Sequence, residues 1–272
     1  MTTVFFHNIN PILFNIGPLS VTYYGIAYAL GALIGLWYIK KLNIKLHLAT
    51  EKDLDDLLVY AILGIIIGGR LGYVLVYKPM EYFSEPIKIM KTWEGGMSFH
   101  GGLIGVVVAM YLYCRKYKIK LLSLSDIVAP AVPIGLFLGR IANFINGELY
   151  GKVTNGAWGV VFPDGGNIPR HPSQLYQAFF EGVILFSVLN YLFLKTKLYE
   201  KRGFVSGTFL AMYGFFRVIM EVFREPDEHI GYIISHFTMG QLLSMPMIAI
   251  GMFIMTRALR NEFGINTPTP GL

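Results

Sequence analysis

The sequence predicts an all-α polytopic membrane protein with about seven transmembrane helices. Three observations support this fold class: only 15% of the 272 residues are charged, the mean hydropathy is +0.52, and the apolar residues occur in long blocks. Soluble proteins carry about 25% charged residues, so this chain has too few to cover a water-facing surface. We therefore expect one transmembrane domain over residues 1–272, and six or eight spans are the alternative counts.

Seven low-charge stretches are each close to the ~20 residues that a helix needs to cross a ~30 Å hydrocarbon core. They are residues 21–39, 57–77, 97–114, 127–145, 175–194, 204–220 and 239–256. Runs this apolar on every side are typical of helices rather than barrel strands. Residues 1–17 contain no Lys or Arg and therefore lack the basic region of a cleaved signal peptide, which predicts that the first span is retained.

The distribution of Lys and Arg predicts the orientation. Fourteen of the 23 follow the first, third, fifth or seventh stretch, and six lie in the alternate segments. The positive-inside rule then places the N-terminus outside and the C-terminus in the cytoplasm. The longest connecting segments, about 78–96 and 146–173, face outward and form a small periplasmic or extracellular cap. The net charge of +6 follows from this topology, and no basic stripe with interleaved aromatics indicates nucleic-acid binding.

Three arginines remain after the topology is assigned. Arg70, Arg140 and Arg217 lie inside or at the outer ends of apolar stretches, where a cation costs a few kcal/mol. A single such residue is explained equally well by a long stem that carries its charge to the interface. Three of them favour a shared polar pocket that opens outward. Arg217 and Glu221 are also four residues apart, so they can meet on one helix face, as a functional pair or as a structural salt bridge.

A polar stripe surrounds the second of these arginines. Arg140, Asn143 and Gly147 are spaced so that they share one helix face. The helix is expected to break at Asn146 and Gly147, with Glu148 within reach. Asn and Gly are also ordinary residues for a helix end, so the stripe alone allows a purely structural interpretation. Guanidinium groups bind phosphate through planar, charge-assisted hydrogen bonds, and several of them in an outward pocket indicate a phospholipid headgroup as ligand.

His100 is the candidate for proton transfer, because histidine titrates near neutral pH. It lies in the glycine-rich segment 95–102 (GGMSFHGG) at the start of the third stretch, where a hydrogen-bonded structural histidine is the alternative. Ser98 lies two residues before it, but the GxSxG elbow of serine hydrolases and the HExxH zinc motif are both absent. His171, before the fifth stretch, and the single cysteine, Cys114, are interpreted as structural residues.

Segment 139–151 (GRIANFINGELYG) resembles the signature of the prolipoprotein diacylglyceryl transferase family. Its Gly, Arg, Asn-Phe, Asn, Glu and closing Gly all match. Further similar blocks occur in order along nearly the whole chain: YYG at 23–25, GRLGY at 69–73, WEGG at 93–96 with HGG at 100–102, HPSQLY at 171–176, and FR at 216–217 with Glu221 and REPD at 224–227.

This resemblance implies transfer of the diacylglyceryl group of phosphatidylglycerol to the lipobox cysteine of a prolipoprotein signal peptide. It implies an enzyme of the bacterial inner membrane, active toward the outer face, with no cofactor and no metal. The catalytic residues carried over are Arg140, Arg217, His100 and Glu148. The residues expected to bind phosphatidylglycerol are Arg140, Asn143, Asn146, Gly151, Tyr24, Arg217, Glu221 and, as the weakest member, Arg70. His100 is the expected general base, with a glutamate or water near the cationic site as the alternative.

Two other classes of function remain open from the residues alone. An anionic-lipid transporter or flippase would use the same arginines, although the chain shows no internal repeat of the kind common in transporters. An intramembrane serine protease would use Ser98 and His100. Neither would attach labelled phosphatidylglycerol to a lipobox peptide.

Overall fold

The computed structural model describes residues 5–17, 19–225, 232–234 and 237–266. The chain divides into two compact units, the first formed by Met1–Ile39 with Ser125–Thr267 and the second by Lys40–Leu124 with Pro268–Leu272. Pro226 and Asp227, which complete the last of the resembling blocks, lie outside the described residues. The prediction of one catalytic domain concerns the functional unit and stays a prediction.

Helices make up most of the described chain. The α-helices are α1 (Tyr23–Leu46), α2 (Glu51–Val76), α3 (Pro79–Ser84), α4 (Phe99–Tyr117), α5 (Leu121–Val128), α6 (Val132–Ile145), α7 (Ser173–Gln177), α8 (Leu185–Lys195), α9 (Phe204–Met220) and α10 (Met239–Leu259). A π-helical segment, Ala178–Ile184, joins α7 to α8, and 3-10 helices lie at Pro86–Met90, Thr92–Glu94 and Leu198–Glu200. Each of the seven predicted stretches therefore falls mainly on helix.

Four helical stretches among the described residues are long and apolar enough to cross a membrane: Tyr23–Leu46, Glu51–Val76, Ser173–Lys195 and Met239–Leu259. A fifth is obtained when α5 and α6, bent by 48°, are counted as one span. α4 is less apolar because its first turn contains His100 and two glycines and its last turn contains basic residues, and α9 has only 17 residues. The protein is thus a mostly helical membrane protein with four or five candidate spans, and the count of seven stays a prediction.

The fourth predicted stretch contains a break between its two helices. α5 ends at Val128 and α6 begins at Val132, with Pro130 between them and Pro133 in the first turn of α6. Proline has no N–H for the helical ladder and disfavours helical backbone in the residue before it, but it suits the first turn of a helix. The two prolines therefore account for the bend, which the prediction of a single span at 127–145 did not include.

Six short strands lie among the described residues and add a small amount of sheet to the predicted all-α fold. They are β1 (Phe5–Phe6), β2 (Ile12–Ile16), β3 (Leu19–Thr22), β4 (Val160–Val161), β5 (Tyr232–Ile234) and β6 (Phe237–Thr238). β1 pairs in parallel with β4, whereas β2–β3 and β5–β6 are antiparallel pairs. Connecting segments have no helical ladder, so strand pairing satisfies their backbone N–H and C=O groups.

Glycines allow α2 and α4 to pack closely in the second unit. A Cβ added at Gly64 would lie 2.6 Å from the carbonyl oxygen of Gly105, and one added at Gly72 would lie 2.7 Å from the Cα of Gly101. Small residues four positions apart let helix backbones approach each other within membranes. This helix pair therefore requires glycine on both sides of the contact.

A buried carboxylate fixes the start of α9 in the first unit. Asp126 accepts hydrogen bonds from the backbone N–H groups of Gly203 (2.6 Å) and Ser206 (2.9 Å), and from Asn266 Nδ2 (3.0 Å). The first N–H groups of a helix have no partner within the helix, and an anion stabilises that end. The opposite end of α9 carries Arg217.

Candidate active site

The polar stripe predicted on α6 ends in a defined helix cap. The Gly147 N–H donates to the Phe144 carbonyl at 3.0 Å. The Glu148 N–H donates to the Asn143 carbonyl at 3.1 Å. With Gly147 at φ +69°, these two bonds form a Schellman motif. The motif turns the chain back so that Asn143 Nδ2 donates to Glu148 Oε1 at 2.7 Å, which confirms the predicted helix break with Glu148 within reach.

A chain of alternating charges connects α6 to α9 through Glu181. Arg140 Nε and Nη2 donate to Glu181 Oε2 at 3.3 and 3.1 Å. Arg217 Nη1 lies 3.9 Å from Glu181 Oε1, and Arg217 Nη2 lies 3.1 Å from Glu221 Oε2. The expected contact between Arg217 and Glu221 is therefore confirmed. Two of the three arginines left over by the topology meet around one carboxylate.

This cluster is buried but still reachable. The Glu181 side chain has no exposed surface, whereas Arg140 and Arg217 keep 15% and 14% of their side-chain surface exposed. Opposite unit charges 4 Å apart attract by about 4 kcal/mol at an effective dielectric constant near 20. Glu181 therefore offsets part of the cost of burying two cations. With Glu221 included, the four charges cancel, so an incoming phosphate would be the additional anion.

Glu181 and Tyr213 are site residues that sequence reasoning missed. Glu181 lies in the π-helical segment Ala178–Ile184, and such insertions are rare and frequent at functional sites. Tyr213 interacts with both Arg140 and Glu181. A signal for Glu181 exists, because an acid in the middle of an apolar stretch is as costly as a cation there. A count of Lys and Arg within the apolar stretches does not detect Glu181, because it leaves acidic residues out.

Tyr24 and Asn146 complete the surroundings of Glu148. Tyr24, at the start of α1, interacts with Asn143 and Glu148, and its hydroxyl lies 3.2 Å from that of Tyr28. Asn146 Nδ2 lies 3.4 Å from Glu148 Oε1. The structure thus brings three of the predicted residues together around the Glu148 carboxylate.

Gly151 occupies a position that no other residue can take. A Cβ added there would lie 2.5 Å from the Phe223 carbonyl oxygen and 2.7 Å from the His171 carbonyl oxygen. Its N–H donates to the His171 carbonyl at 2.8 Å, and it pairs with Arg224 in an antiparallel bridge. The closing glycine of segment 139–151 therefore joins three segments of the chain.

His171 packs among aromatic rings beside this glycine. Its ring centroid lies 5.9 Å from that of Tyr176 and 5.4 Å from that of Phe223, and its Nδ1 lies 3.2 Å from the Tyr176 hydroxyl. Burial lowers the pKa of His171, because it disfavours the charged imidazolium. These contacts are those of a packed structural residue. α7 starts at Ser173, directly after Pro172, as the predicted helix start requires.

Leu149 has an unfavourable backbone conformation next to Glu148. Its φ of +57° lies in the left-handed region, which costs about 1–2 kcal/mol for a residue other than glycine. Two side chains of α7 hold this turn: Ser173 Oγ donates to the Leu149 carbonyl at 2.9 Å, and Gln174 Nε2 donates to the Glu148 carbonyl at 2.6 Å. Ser173 and Gln174 are themselves buried.

Arg70 belongs to the second unit and has a different kind of environment. Its guanidinium has five N–H groups, and these meet five backbone carbonyls in segment 88–96. The acceptors are the carbonyl oxygens of Lys88, Ile89, Lys91, Gly95 and Gly96. The guanidinium also lies 5.0 Å from the centre of the Tyr82 ring. In this conformation Arg70 has no N–H left over for a phosphate.

Ser98 and His100 lie in the same unit as Arg70. Ser98 is the N-cap of α4: its Oγ accepts a hydrogen bond from the Gly101 N–H at 3.2 Å. His100 is exposed, and its ring lies 5.6 Å from the adjacent Phe99 ring. Ser98 is thus engaged as a helix cap. No cluster of three or more His, Cys, Asp or Glu suited to a metal ion occurs within the described residues.

Comparison with known proteins agrees with the resemblance read from segment 139–151. A family model described as prolipoprotein diacylglyceryl transferase matches residues 11–257. The chain is 57% identical to a Rickettsia felis protein named phosphatidylglycerol–prolipoprotein diacylglyceryl transferase, over 254 residues that cover 93% of this chain and 98% of the relative. Relatives with the same name are 56% identical in Rickettsia conorii, with the same coverage, and 55% identical in Rickettsia bellii, covering 93% of this chain and 96% of the relative.

Proposed function

The chain belongs to the prolipoprotein diacylglyceryl transferase family, and from this premise we propose that it transfers the diacylglyceryl group of phosphatidylglycerol to the lipobox cysteine of a prolipoprotein. The cysteine sulfur forms a thioether bond with the glycerol carbon that carries the phosphate. The bond between that carbon and the phosphate oxygen breaks, and glycerol phosphate leaves with the electron pair. This reaction is the first step of bacterial lipoprotein maturation.

The observation that carries this proposal is the cluster of Arg140, Glu181 and Arg217. Arg140 uses Nε and Nη2 to bind Glu181, and we assign its Nη1 to a phosphate oxygen. Arg217 approaches Glu181 from α9 and supplies the second cation. The phosphate gains negative charge as the bond breaks, so fixed cations stabilise the transition state more than the bound lipid.

Glu181 orients the arginines in this mechanism. A buried carboxylate between two guanidinium groups keeps them close together before the substrate arrives, so little reorganisation is needed during the reaction. Around Glu148, we assign Asn143, Asn146 and Tyr24 to shaping the lipid site. Gly151 and Glu221 brace the same region through the contacts described above.

Proton transfer completes the reaction. A cysteine thiol has a pKa of about 8.5 and attacks as the thiolate. We assign the thiol proton to His100 as general base, because histidine suits proton transfer near neutral pH. Glu148 is the alternative acceptor, as a carboxylate on the turn that follows α6, the helix that carries Arg140.

We assign Arg70 a different role from the one that the resemblance implies. Its five N–H groups bind carbonyls of segment 88–96, which is the arrangement of a residue that organises a loop. Phosphate binding is then left to Arg140 and Arg217.

The topology is part of the same proposal. We propose seven spans with the N-terminus outside, the C-terminus in the cytoplasm and the site open toward the outer face of the inner membrane. The distribution of 14 Lys and Arg in one set of connecting segments against six in the other supports this orientation.

A direct transfer assay tests the function. The full-length chain is purified and incubated with phosphatidylglycerol labelled in its acyl chains and with a lipobox peptide, and a peptide with Ser in place of the cysteine serves as substrate control. We expect label on the cysteine peptide alone. Arg140→Ala and Arg217→Ala should each lower kcat by about 100-fold or more, the size typical for loss of one electrostatic donor. Arg260→Ala, at an exposed arginine, is the matched control and should keep full activity.

Four results would contradict parts of the proposal. A wild-type chain that moves labelled lipid between leaflets without labelling the peptide would be a flippase. A chain that cleaves the peptide without labelling it would be a protease. Robust thioether formation by Arg140→Ala would reject the binding of the phosphate by Arg140 and Arg217. Retention of most activity by His100→Ala would reject only the assignment of His100 as general base.

A further inference from the structure

The turn that carries Glu148 is held in place from outside α6. The Leu149 backbone is left-handed although 37% of the residue is exposed, so burial of its side chain does not explain the conformation. Leucine has no side-chain group that hydrogen-bonds its own backbone in this region, as Asn or Asp does. The conformation must therefore be imposed by neighbouring groups.

Two consecutive residues of α7 supply that constraint. Ser173 Oγ binds the Leu149 carbonyl, and Gln174 Nε2 binds the Glu148 carbonyl. The exposed fractions of Ser173 and Gln174 are 1% and 0%, so the donor side of each hydrogen bond is buried, whereas the accepting residues Glu148 and Leu149 are exposed. A buried donor that loses its acceptor is costly, so turn conformations that move the two carbonyls away from Ser173 and Gln174 are unfavourable.

We propose that Ser173 and Gln174 are positioning residues for the transfer reaction. By binding the carbonyls of Glu148 and Leu149, they keep Leu149 left-handed and so keep the Glu148 carboxylate on Asn143. The Glu148 N–H is already held by the Asn143 carbonyl, so the residue is fixed on both sides. This role rests on the proposed function, in which Glu148 belongs to the lipid site.

The same turn determines where Gly151 lies. Gly151 is two residues after Leu149, and its N–H binds the His171 carbonyl two residues before Ser173. The segments 148–151 and 171–174 are therefore joined at three points. Release of the Leu149 turn would move both Glu148 and Gly151.

A double-mutant cycle tests the role of the strained turn. Ser173→Ala removes the hydroxyl donor, and Leu149→Gly replaces leucine with a residue that adopts positive φ without steric cost. We expect Ser173→Ala to lower kcat by about 10-fold and Leu149→Gly alone to change it by less than about threefold. In the Leu149→Gly background, the loss of kcat caused by Ser173→Ala should be at least about threefold smaller than in the wild type, because glycine adopts the left-handed conformation without the Ser173 hydrogen bond. Ser173→Thr keeps the hydroxyl and should restore activity.

Gln174→Leu removes the second donor and is tested in the same way as Ser173→Ala. Leu149→Asn is a second variant that relieves the strain, because Asn tolerates left-handed backbone. Activity is expressed per folded molecule, since glycine also lowers stability through the unfolded chain. Strictly additive effects at Ser173 and Leu149, or a Ser173→Ala variant with wild-type kcat, would overturn the proposal.

Hydrogen–deuterium exchange separates this proposal from the proposed function. Ser173→Ala should speed exchange of the amides in 147–152, and Ser173→Thr should not, whether or not the chain transfers lipid. Unchanged exchange in Ser173→Ala would reject the proposal that Ser173 holds the turn, while leaving the proposed transferase function intact. If exchange speeds up but Glu148→Gln keeps wild-type transfer, Ser173 does hold the turn, but Glu148 has no role in the reaction. The proposal that Ser173 and Gln174 are positioning residues is then rejected together with the assignment of Glu148.

Discussion

Both units of this protein contain arginines within apolar stretches, one buried and two partly buried, and the partners of these arginines differ. In the second unit, Arg70 binds five backbone carbonyls of one loop. In the first unit, Arg140 and Arg217 bind the carboxylates of Glu181 and Glu221. All three arginines have the same sequence signal, a cation within an apolar stretch.

The difference in partners separates structure from function. Backbone carbonyl oxygens carry no net charge but saturate the Arg70 donors, so the guanidinium holds a loop. The carboxylates at Arg140 and Arg217 neutralise the cations but leave both arginines partly exposed. A substrate phosphate is thus able to add to an arginine pair that is already oriented.

The largest expected effect comes from removing the central carboxylate. Glu181→Gln keeps the shape of the side chain but leaves two buried guanidinium groups without their shared anion. Breaking a buried ion pair by removing one partner costs about 3–5 kcal/mol, so we expect transfer activity to fall by at least about 100-fold and the unfolding temperature to drop. Both are measured on purified enzyme, by the transfer assay and by thermal unfolding.

Glu181→Asp is the matched control, since it retains the charge and shortens the side chain by one methylene. It should keep more activity than Glu181→Gln. Wild-type kcat in Glu181→Gln would show that the catalytic role of Arg140 and Arg217 does not depend on this carboxylate. The difference between carboxylate partners here and carbonyl partners at Arg70 would then not explain the difference in function.

The sequence predicted the local parts of the site and missed the long-range ones. The helix end at Asn146 and Gly147, the position of Glu148 within reach and the Arg217–Glu221 pair each follow from short spacings along the chain, and each is observed. Glu181 reaches Arg140 from 41 residues away, and no spacing rule connects the two. The residues around Arg70 were equally invisible, because backbone carbonyls have no sequence signature.

Fold prediction followed the same division. Apolar blocks located the helices because the hydrocarbon core demands ~20 apolar residues per span. The bend between α5 and α6 follows from Pro130 and Pro133, which a hydropathy pattern does not take into account. The π-helical segment and the short strands depend on the pairing of backbone N–H and C=O groups. Such pairing is decided by tertiary neighbours rather than by hydropathy.

An intermediate effect is expected at Arg70, the arginine of the second unit that we expect to stabilise structure rather than bind phosphate. Arg70→Met keeps a long side chain beside Tyr82 but removes all five donors. We expect the free energy of unfolding to fall by about 2–3 kcal/mol, the scale of losing hydrogen bonds to a charged group. The KM for phosphatidylglycerol of the remaining folded enzyme should change by less than about twofold. A tenfold rise in KM with unchanged stability would mean that Arg70 contacts the lipid, and the two arginine environments would then be alike in function.

The smallest expected effect is at Ser98, a second polar residue of the Arg70 unit that serves structure. Its Oγ caps α4 by accepting from the Gly101 N–H, and loss of an N-cap costs about 1 kcal/mol. Ser98→Ala should therefore lower the unfolding temperature slightly while kcat stays within twofold of the wild type, and Ser98→Asp, which keeps an acceptor at the cap, should recover the stability. Loss of transfer in Ser98→Ala with recovery absent in Ser98→Asp would give the hydroxyl a chemical role. Ser98 would then join His100, the proposed general base on α4, as a residue of this unit that takes part in the transfer.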